Sequence, residues 1–212
     1  MAVCPDEAVL ERPAPFSDPA VTAKGEQRAS VRLRALKTLW FNTGTLCNLT
    51  CVNCYIESSP RNDRLVYLSL GEVVEYLDEI RDLSLPTEEI GITGGEPFMN
   101  PDIIAIMEAS LERGFNLLVL TNAMRPMMKC KDELLRLKQV YGNRMTLRIS
   151  VDHFNRAMHE EERGANSWSP MMLGLKWLAE HRFTIDIAGR TRWGENEADL
   201  RDGFARLFEA HD

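Results

Sequence analysis

The segment TLWFNTGTLCNLTCVNC, residues 38–54, carries three cysteines in a C-x3-C-x2-C pattern just after a short run rich in Thr, Leu and aromatic residues. The run TLWFNT (38–43) predicts a β-strand, so Cys47, Cys51 and Cys54 follow its carboxyl end. Soft thiolates select zinc, copper(I) or an iron–sulfur cluster. Structural zinc needs a fourth ligand, yet residues 41–60 contain no other cysteine and no histidine.

The residues alone leave three interpretations of the cysteine group open. The first is a zinc site completed by His153, and the second is a set of free thiols. The third is a [4Fe–4S] cluster held at three corners, with its fourth iron free to bind a ligand. Cys4 and Cys130 stand alone in the sequence, and we interpret both as incidental.

The rest of the chain alternates short apolar runs with amphipathic helical patterns. Further strands are predicted over residues 89–93, 115–121, 146–152 and 184–189. Such alternation implies right-handed crossovers and a parallel sheet. A closed eight-unit barrel usually takes about 250 residues. The predicted fold class is therefore α/β, a partial (βα) barrel with parallel strands, open or C-terminally truncated relative to a TIM-like barrel.

The helical patterns have recognisable ends. Ser69 and Glu72 form an S-x-x-E capping box. Asn100-Pro101 predicts an N-cap followed by a proline at the first helical position, and that helix should stop at Gly114. Three more helices are expected: over residues 131–141, from Ser169-Pro170 onward, and around an inward stripe of Leu200, Phe204, Leu207 and Phe208.

Composition and length limit the class of protein. We expect residues 1–37 to be an N-terminal leader, Pro-rich at its start, and residues 38–212 to be one core domain. The net charge of −7 argues against a protein whose main role is to bind nucleic acid. No apolar run approaches the ~20 residues that span a bilayer, and the N-terminus lacks a secretion-signal pattern. The expected location is cytoplasmic, with no membrane partner.

Polar residues follow the predicted strands at their carboxyl ends. ITGGEP (92–97) follows the second strand: its glycines allow a ligand close to the backbone, and Glu96 offers a carboxylate to an ammonium group. The third strand ends in LTNAM and the fourth in ISVDH. Carboxyl ends of parallel strands meet at one edge of the sheet. The candidate site residues at this edge are Gly94, Gly95, Glu96, Thr121, Asn122, Ser150 and Asp152.

The cysteine loop after the first strand and the GGE segment after the second together resemble the radical S-adenosylmethionine superfamily. The resemblance implies that Cys47, Cys51 and Cys54 hold a [4Fe–4S] cluster whose bare iron binds the amino and carboxylate groups of S-adenosylmethionine. It implies reductive cleavage to a 5′-deoxyadenosyl radical, which abstracts hydrogen from an unknown substrate. A one-electron donor of the flavodoxin or ferredoxin type would be needed.

The resemblance also assigns roles at the edge of the sheet. Gly94, Gly95 and Glu96 would hold the methionyl amino group, and the polar ends of the third and fourth strands would contact the ribose and the carboxylate. The family often has an aromatic residue just before the last cysteine; this chain has Asn53 there, and Tyr55 is the candidate near adenine. Arg192 stands at the glutamate position of a G-x-I-x-G-x-x-E pattern. Arg163 is interpreted as a solvated side chain.

Two alternative functions fit the same residues. One is a non-catalytic iron–sulfur or metal-binding module of the same fold, suggested by Asn53 and by the short region after the fifth strand. The other is an activase that places a glycyl radical on a partner protein.

Overall fold

The computed structural model describes residues 18–22 and 24–211, so most of the predicted Pro-rich segment, with Cys4, lies outside the described residues. Contacts divide the chain into a unit that ends at Arg34 and a unit Ala35–Asp212. In the first unit, Val21 forms an isolated antiparallel bridge with Gln27. The boundary between a leader and a core at residues 37/38 stays a prediction.

The larger unit is built on a five-stranded sheet in the order of the sequence, with every neighbouring pair parallel. This confirms the α/β fold with an open partial barrel, because β1 pairs only with β2 and β5 only with β4 among the described residues. The strands are β1 (Thr38–Asn42), β2 (Glu89–Thr93), β3 (Asn116–Thr121), β4 (Met145–Asp152) and β5 (Thr184–Gly189).

Seven α-helices lie in the described part of the chain, mostly in the crossovers between strands. They are α1 (Leu70–Asp82), α2 (Ile103–Glu112), α3 (Arg125–Lys129), α4 (Lys131–Tyr141), α5 (Arg156–Arg163), α6 (Trp168–Glu180) and α7 (Glu197–Glu209). None of the helices described here is long and apolar enough to cross a membrane.

The hydrophobic core lies between the sheet and its covering helices. Burial alternates along β4, where Met145, Leu147, Ile149 and Val151 are buried, as expected because successive side chains of a strand point to opposite faces. Each fully buried aliphatic side chain contributes about 1.5–3 kcal/mol relative to an exposed one. The core therefore fixes the strand ends that carry the predicted site.

One predicted cap is confirmed and another is wrong. Ser69 and Glu72 form the predicted capping box at the start of α1. Asn100, in contrast, does not cap α2, which begins at Ile103 after a 3₁₀ turn over Pro97–Met99. The Asn100 amide is buried and donates to the carbonyls of Thr43 and Leu68 at 3.3 and 2.8 Å. Its Oδ1 accepts from the Asp102 backbone amide at 2.8 Å, so the side chain supports the turn before α2 as well as these distant carbonyls.

Two further helical expectations need correction, and one helix was not expected. Helix α6 begins at Trp168, so Ser169-Pro170 lies within its first turn rather than opening it. Phe208, predicted to face inward on α7, is exposed. Helix α5 was not predicted, because its sequence RAMHEEER shows no apolar stripe.

Candidate functional site

A cavity of about 290 Å³ opens at the carboxyl edge of the sheet. Every residue proposed for the site from the sequence lines this cavity. They are Cys47, Cys51, Cys54, Tyr55, Gly94, Gly95, Glu96, Thr121, Asn122, Ser150 and Asp152. Their convergence is established by the fold, whereas the role of each toward a cofactor stays a prediction.

The cysteine loop between β1 and α1 is shaped by its own backbone. The amide of Cys54 donates to the Cys51 carbonyl at 3.3 Å, which closes a turn between these cysteines. Two amides donate to sulfur: Leu49 to Cys47 Sγ at 3.4 Å, and Ser58 to Cys54 Sγ at 3.2 Å. Hydrogen bonds of this kind to sulfur tune iron–sulfur clusters.

Burial favours the protonated thiol form of Cys47 and Cys51. It raises the pKa of Cys47 to about 12, although the Leu49 amide opposes the shift. Burial also raises the pKa of Cys51, against the attraction of the nearby Arg163 guanidinium. Because metals bind thiolates, loading of the site must release protons.

The interpretation of the cysteine group as a zinc site completed by His153 is wrong. Both ring nitrogens of His153 have partners: Nε2 lies 2.9 Å from Glu195 Oε1, and Nδ1 accepts from the Asn155 amide at 2.8 Å. Within residues 18–22 and 24–211, no three His, Cys, Asp or Glu side chains are grouped to hold a single ion. Tetrahedral zinc would bring its sulfurs to within about 4 Å of each other, whereas a cubane spreads them farther apart.

The glycines of the GGE segment serve the chain's own packing. A Cβ on Gly95 would lie 2.1 Å from the Leu46 carbonyl oxygen. The Gly95 amide donates to Gly44 O at 2.8 Å, and the Glu96 amide donates to Leu46 O at 3.0 Å. The segment after β2 is thus pressed against the cysteine loop, which places Glu96 beside Cys47.

Glu96 is buried, and its carboxylate is held by the chain. Oε1 accepts from Thr121 Oγ1 at 2.8 Å and from the Phe98 amide at 3.2 Å, while Oε2 accepts from the Asn122 amide at 2.8 Å. Burial raises the pKa of Glu96, and these hydrogen bonds oppose the shift. Thr121 and the Asn122 backbone therefore orient Glu96. A direct contact of Thr121 or Asn122 with the cofactor stays a prediction.

Asp152 at the end of β4 lies between two arginines. Its Oδ2 accepts from Arg163 Nε at 2.6 Å, and its Oδ1 accepts from Arg190 Nε at 2.9 Å. The residue adopts a left-handed φ of 48°, a conformation that aspartate tolerates better than most residues. The interpretation of Arg163 as solvated is wrong, since its side chain is only 12% exposed.

Tyr55 is free of side-chain bonding to Glu162, whereas Asn53 and Arg192, the two residues that depart from the family pattern, both bind that carboxylate. The Tyr55 side chain is exposed at the wall of the cavity. Asn53 is bound by Glu162 at the end of α5, with 2.7 Å between Asn53 Nδ2 and Glu162 Oε2. Arg192 also donates to Glu162 Oε2, at 2.5 Å.

Four polar residues of the cavity wall are not among the site residues predicted from the sequence: Ser58, Thr93 at the end of β2, Arg163 and Arg190. Arg190 directly follows β5, so the strand-end rule that identified Asp152 would also have identified it. Arg163 comes from an unpredicted helix. Nothing in the sequence around Ser58 distinguishes it from a loop serine.

The residues present fit an iron–sulfur cluster. Three thiols share one cavity, and the hydroxyl of Ser58 at its wall is buried without a hydrogen-bond partner in the described part of the chain. Thiolates are the protein ligands of such clusters.

Comparison with known proteins defines the class. The family model of the radical SAM superfamily matches residues 41–200, and this chain belongs to that superfamily. Its members are enzymes that use a [4Fe–4S] cluster and S-adenosylmethionine, and the cysteine loop and the GGE segment both lie in the matched region.

Two curated relatives are similar to part of this chain. It is 29% identical over 169 residues to the antilisterial bacteriocin subtilosin biosynthesis protein AlbA of Bacillus subtilis, covering 79% of this chain and 35% of AlbA. It is 26% identical over 161 residues to the mycofactocin maturase MftC of Mycolicibacterium smegmatis, covering 76% of this chain and 38% of MftC. The chain thus spans little more than a third of these relatives.

Solved structures show the same fold. SuiB of Streptococcus suis, bound to S-adenosylmethionine, superposes with a TM-score of 0.64 at 17% identity, over 82% of this chain and 37% of SuiB.

Proposed function

We propose that this chain binds a [4Fe–4S] cluster through Cys47, Cys51 and Cys54 and uses S-adenosylmethionine to start a radical reaction. The observation that carries the proposal is that these thiols, the GGE segment and the polar ends of β3 and β4 line one cavity. A cluster held by these three cysteines would supply one electron for cleavage of S-adenosylmethionine to methionine and a 5′-deoxyadenosyl radical, and this radical would take hydrogen from the substrate.

The chain's own groups would bind and orient the cosubstrate. A carboxylate has about four acceptor sites, and three hydrogen bonds from the chain fix Glu96, so one site is left for the methionyl ammonium group. An arginine has five donors, so Arg163 can bind a ligand carboxylate while its Nε stays on Asp152. Ser150 supports the ribose, and the exposed Tyr55 ring supports adenine.

Partners follow from the same proposal. Reduction of the cluster requires a one-electron donor, and we expect a flavodoxin or a ferredoxin. The relatives act, by their names, in bacteriocin biosynthesis and mycofactocin maturation. The chemistry that we propose this chain shares with them is the initiation of a radical reaction, and its substrate is unidentified. The acidic composition disfavours nucleic acid as a partner, and the expected location is cytoplasmic.

Anaerobic reconstitution tests the proposed function. We expect about four irons and about four sulfides per chain, and 5′-deoxyadenosine after addition of dithionite and S-adenosylmethionine, measured by liquid chromatography with mass spectrometry. A single zinc without sulfide would refute the cluster. A cluster without nucleoside product would favour the non-catalytic module, and hydrogen transfer from a protein glycine would identify an activase.

Ser58→Ala is expected to lower the reduction potential of the cluster. The buried Ser58 hydroxyl is an unpartnered donor at the cavity wall among the described residues. A donor beside a cluster sulfur stabilises the more negative reduced state and raises the potential. The shift would be measured by a redox titration followed by electron paramagnetic resonance.

Ser59→Ala is the matched control for this measurement. The Ser59 hydroxyl accepts from the Arg61 amide at 3.3 Å, and its side chain does not line the cavity. An unchanged potential in Ser58→Ala, or an equal shift in both variants, would contradict the role of the Ser58 hydroxyl.

A further inference from the structure

The two departures from the family pattern, Asn53 and Arg192, meet at a single carboxylate. Glu162 lies in the last turn of α5, and its side chain is completely buried. Its Oε1 accepts from the backbone amide of Asn53 at 2.9 Å. Its Oε2 accepts from Asn53 Nδ2 at 2.7 Å and from Arg192 Nη1 at 2.5 Å.

The backbone of Glu162 extends the same contact. Its carbonyl accepts from the Val52 amide at 2.9 Å. Val52 and Asn53 are the residues between Cys51 and Cys54, so Glu162 binds both amides of the short segment that joins these cysteines. Arg190 approaches from the end of β5, with Nη1 3.5 Å from the Asn53 carbonyl and Nη2 3.7 Å from Glu162 Oε1.

The charge of Glu162 is balanced inside the protein. Burial opposes ionisation, but the hydrogen bonds from Asn53 and Arg192 prevail and lower its pKa. Hydrogen bonds to a charged acceptor are shorter and about twice as strong as neutral ones. The Asn53–Glu162–Arg192 contact is therefore a strong tie between the cysteine loop, α5 and the segment after β5.

We propose that Glu162 is a positioning residue that holds the Cys51–Cys54 turn in its cluster-binding conformation before the cluster is bound. Arg192 keeps the Glu162 carboxylate in place, and that carboxylate in turn holds Asn53. The proposal rests on the proposed cluster at Cys47, Cys51 and Cys54. It goes beyond that function by assigning the geometry of the turn to Glu162, which does not line the cavity.

The test compares Glu162→Gln with Glu161→Gln in the full chain. Glu161 is the adjacent carboxylate on α5; it is half exposed and also binds Arg192, at 3.0 Å, but has no contact with the turn among the described residues. A glutamine at 162 turns an NH₂ group toward donors, which breaks at least one charge-assisted bond. Hydrogen exchange would be followed at the Val52 and Asn53 amides in the cluster-free protein, and release of iron to a chelator after reconstitution.

In Glu162→Gln we expect exchange at both amides to accelerate about tenfold, the factor that follows from losing one charge-assisted hydrogen bond. Iron release should accelerate about tenfold as well, as for other groups that support a metal ligand. In Glu161→Gln both rates should stay within about twofold of wild type, since surface pairs contribute little.

Asn53→Ala provides a second variant if Glu162→Gln does not fold, since it removes one donor and leaves the buried carboxylate with Arg192. Faster exchange at Val52 in Asn53→Ala supports the proposal. Unchanged exchange in both variants, or equal acceleration in Glu161→Gln, overturns it. The exchange measurement needs neither cluster nor S-adenosylmethionine, so a chain that shows the effect but takes up no iron would refute the proposed function and leave the role of Glu162 in the turn intact.

Discussion

Replacing Cys51 by alanine is expected to abolish cleavage of S-adenosylmethionine and to prevent stable assembly of the cluster. Only three cysteines line the described cavity, so no spare thiol there can take the place of Cys51. The fall in 5′-deoxyadenosine formation should exceed about 100-fold, beyond the roughly 10–100-fold that loss of an outer partner of a metal site causes. Iron content and nucleoside product would be measured on the same anaerobic preparations.

Cys130→Ala is the matched control for Cys51→Ala. Cys130 is a half-buried thiol between α3 and α4, with its sulfur 3.8 Å from the Pro126 carbonyl, and it does not line the cavity. This variant should retain iron and activity close to wild type. Equal activity of wild type and Cys51→Ala would remove the cysteine group from the mechanism.

Gly95→Ala is expected to destabilise the fold by about 3 kcal/mol, at the upper end of overpacking effects. The added Cβ would lie 2.1 Å from the carbonyl oxygen and 2.6 Å from the carbonyl carbon of Leu46. Both are backbone atoms, so rotation of a side chain cannot relieve the clash. A chain of this size should lose about 6–12 °C in melting temperature. Displacement of Leu46 would also move Cys47 and reduce iron uptake.

Gly71→Ala separates this clash from a general effect of adding a methyl group. Gly71 lies in the first turn of α1, and the nearest atom to an added Cβ is Ser69 Oγ at 3.9 Å. Alanine in a helix is favoured over glycine by about 0.5–1 kcal/mol, so this variant should be as stable as wild type or more stable. Similar unfolding midpoints for Gly95→Ala and wild type would contradict the close approach of the two loops.

Local patterns predicted the strands well because each is a short apolar run bounded by polar or turn residues. Strands β2 and β5 have the predicted bounds, and β1, β3 and β4 differ by one residue at one end. Helix α5 was missed because its buried side chains include His159 and Glu162, which a search for apolar periodicity does not select. The contacts of Asn100 with Thr43 and Leu68 could not be predicted from a local pattern, because these residues are distant in the sequence.

The sequence by itself determined the donor set and its order: three cysteines after one strand, GGE after the next, and polar residues at the ends of the following two. It did so because parallel crossovers bring every strand end to one edge of the sheet, whatever the details of packing. Only the tertiary structure decided which of these groups neutralise each other. Asp152 pairs with Arg190, 38 positions further along the chain, and such pairing of charges depends on where the crossovers place the residues in space.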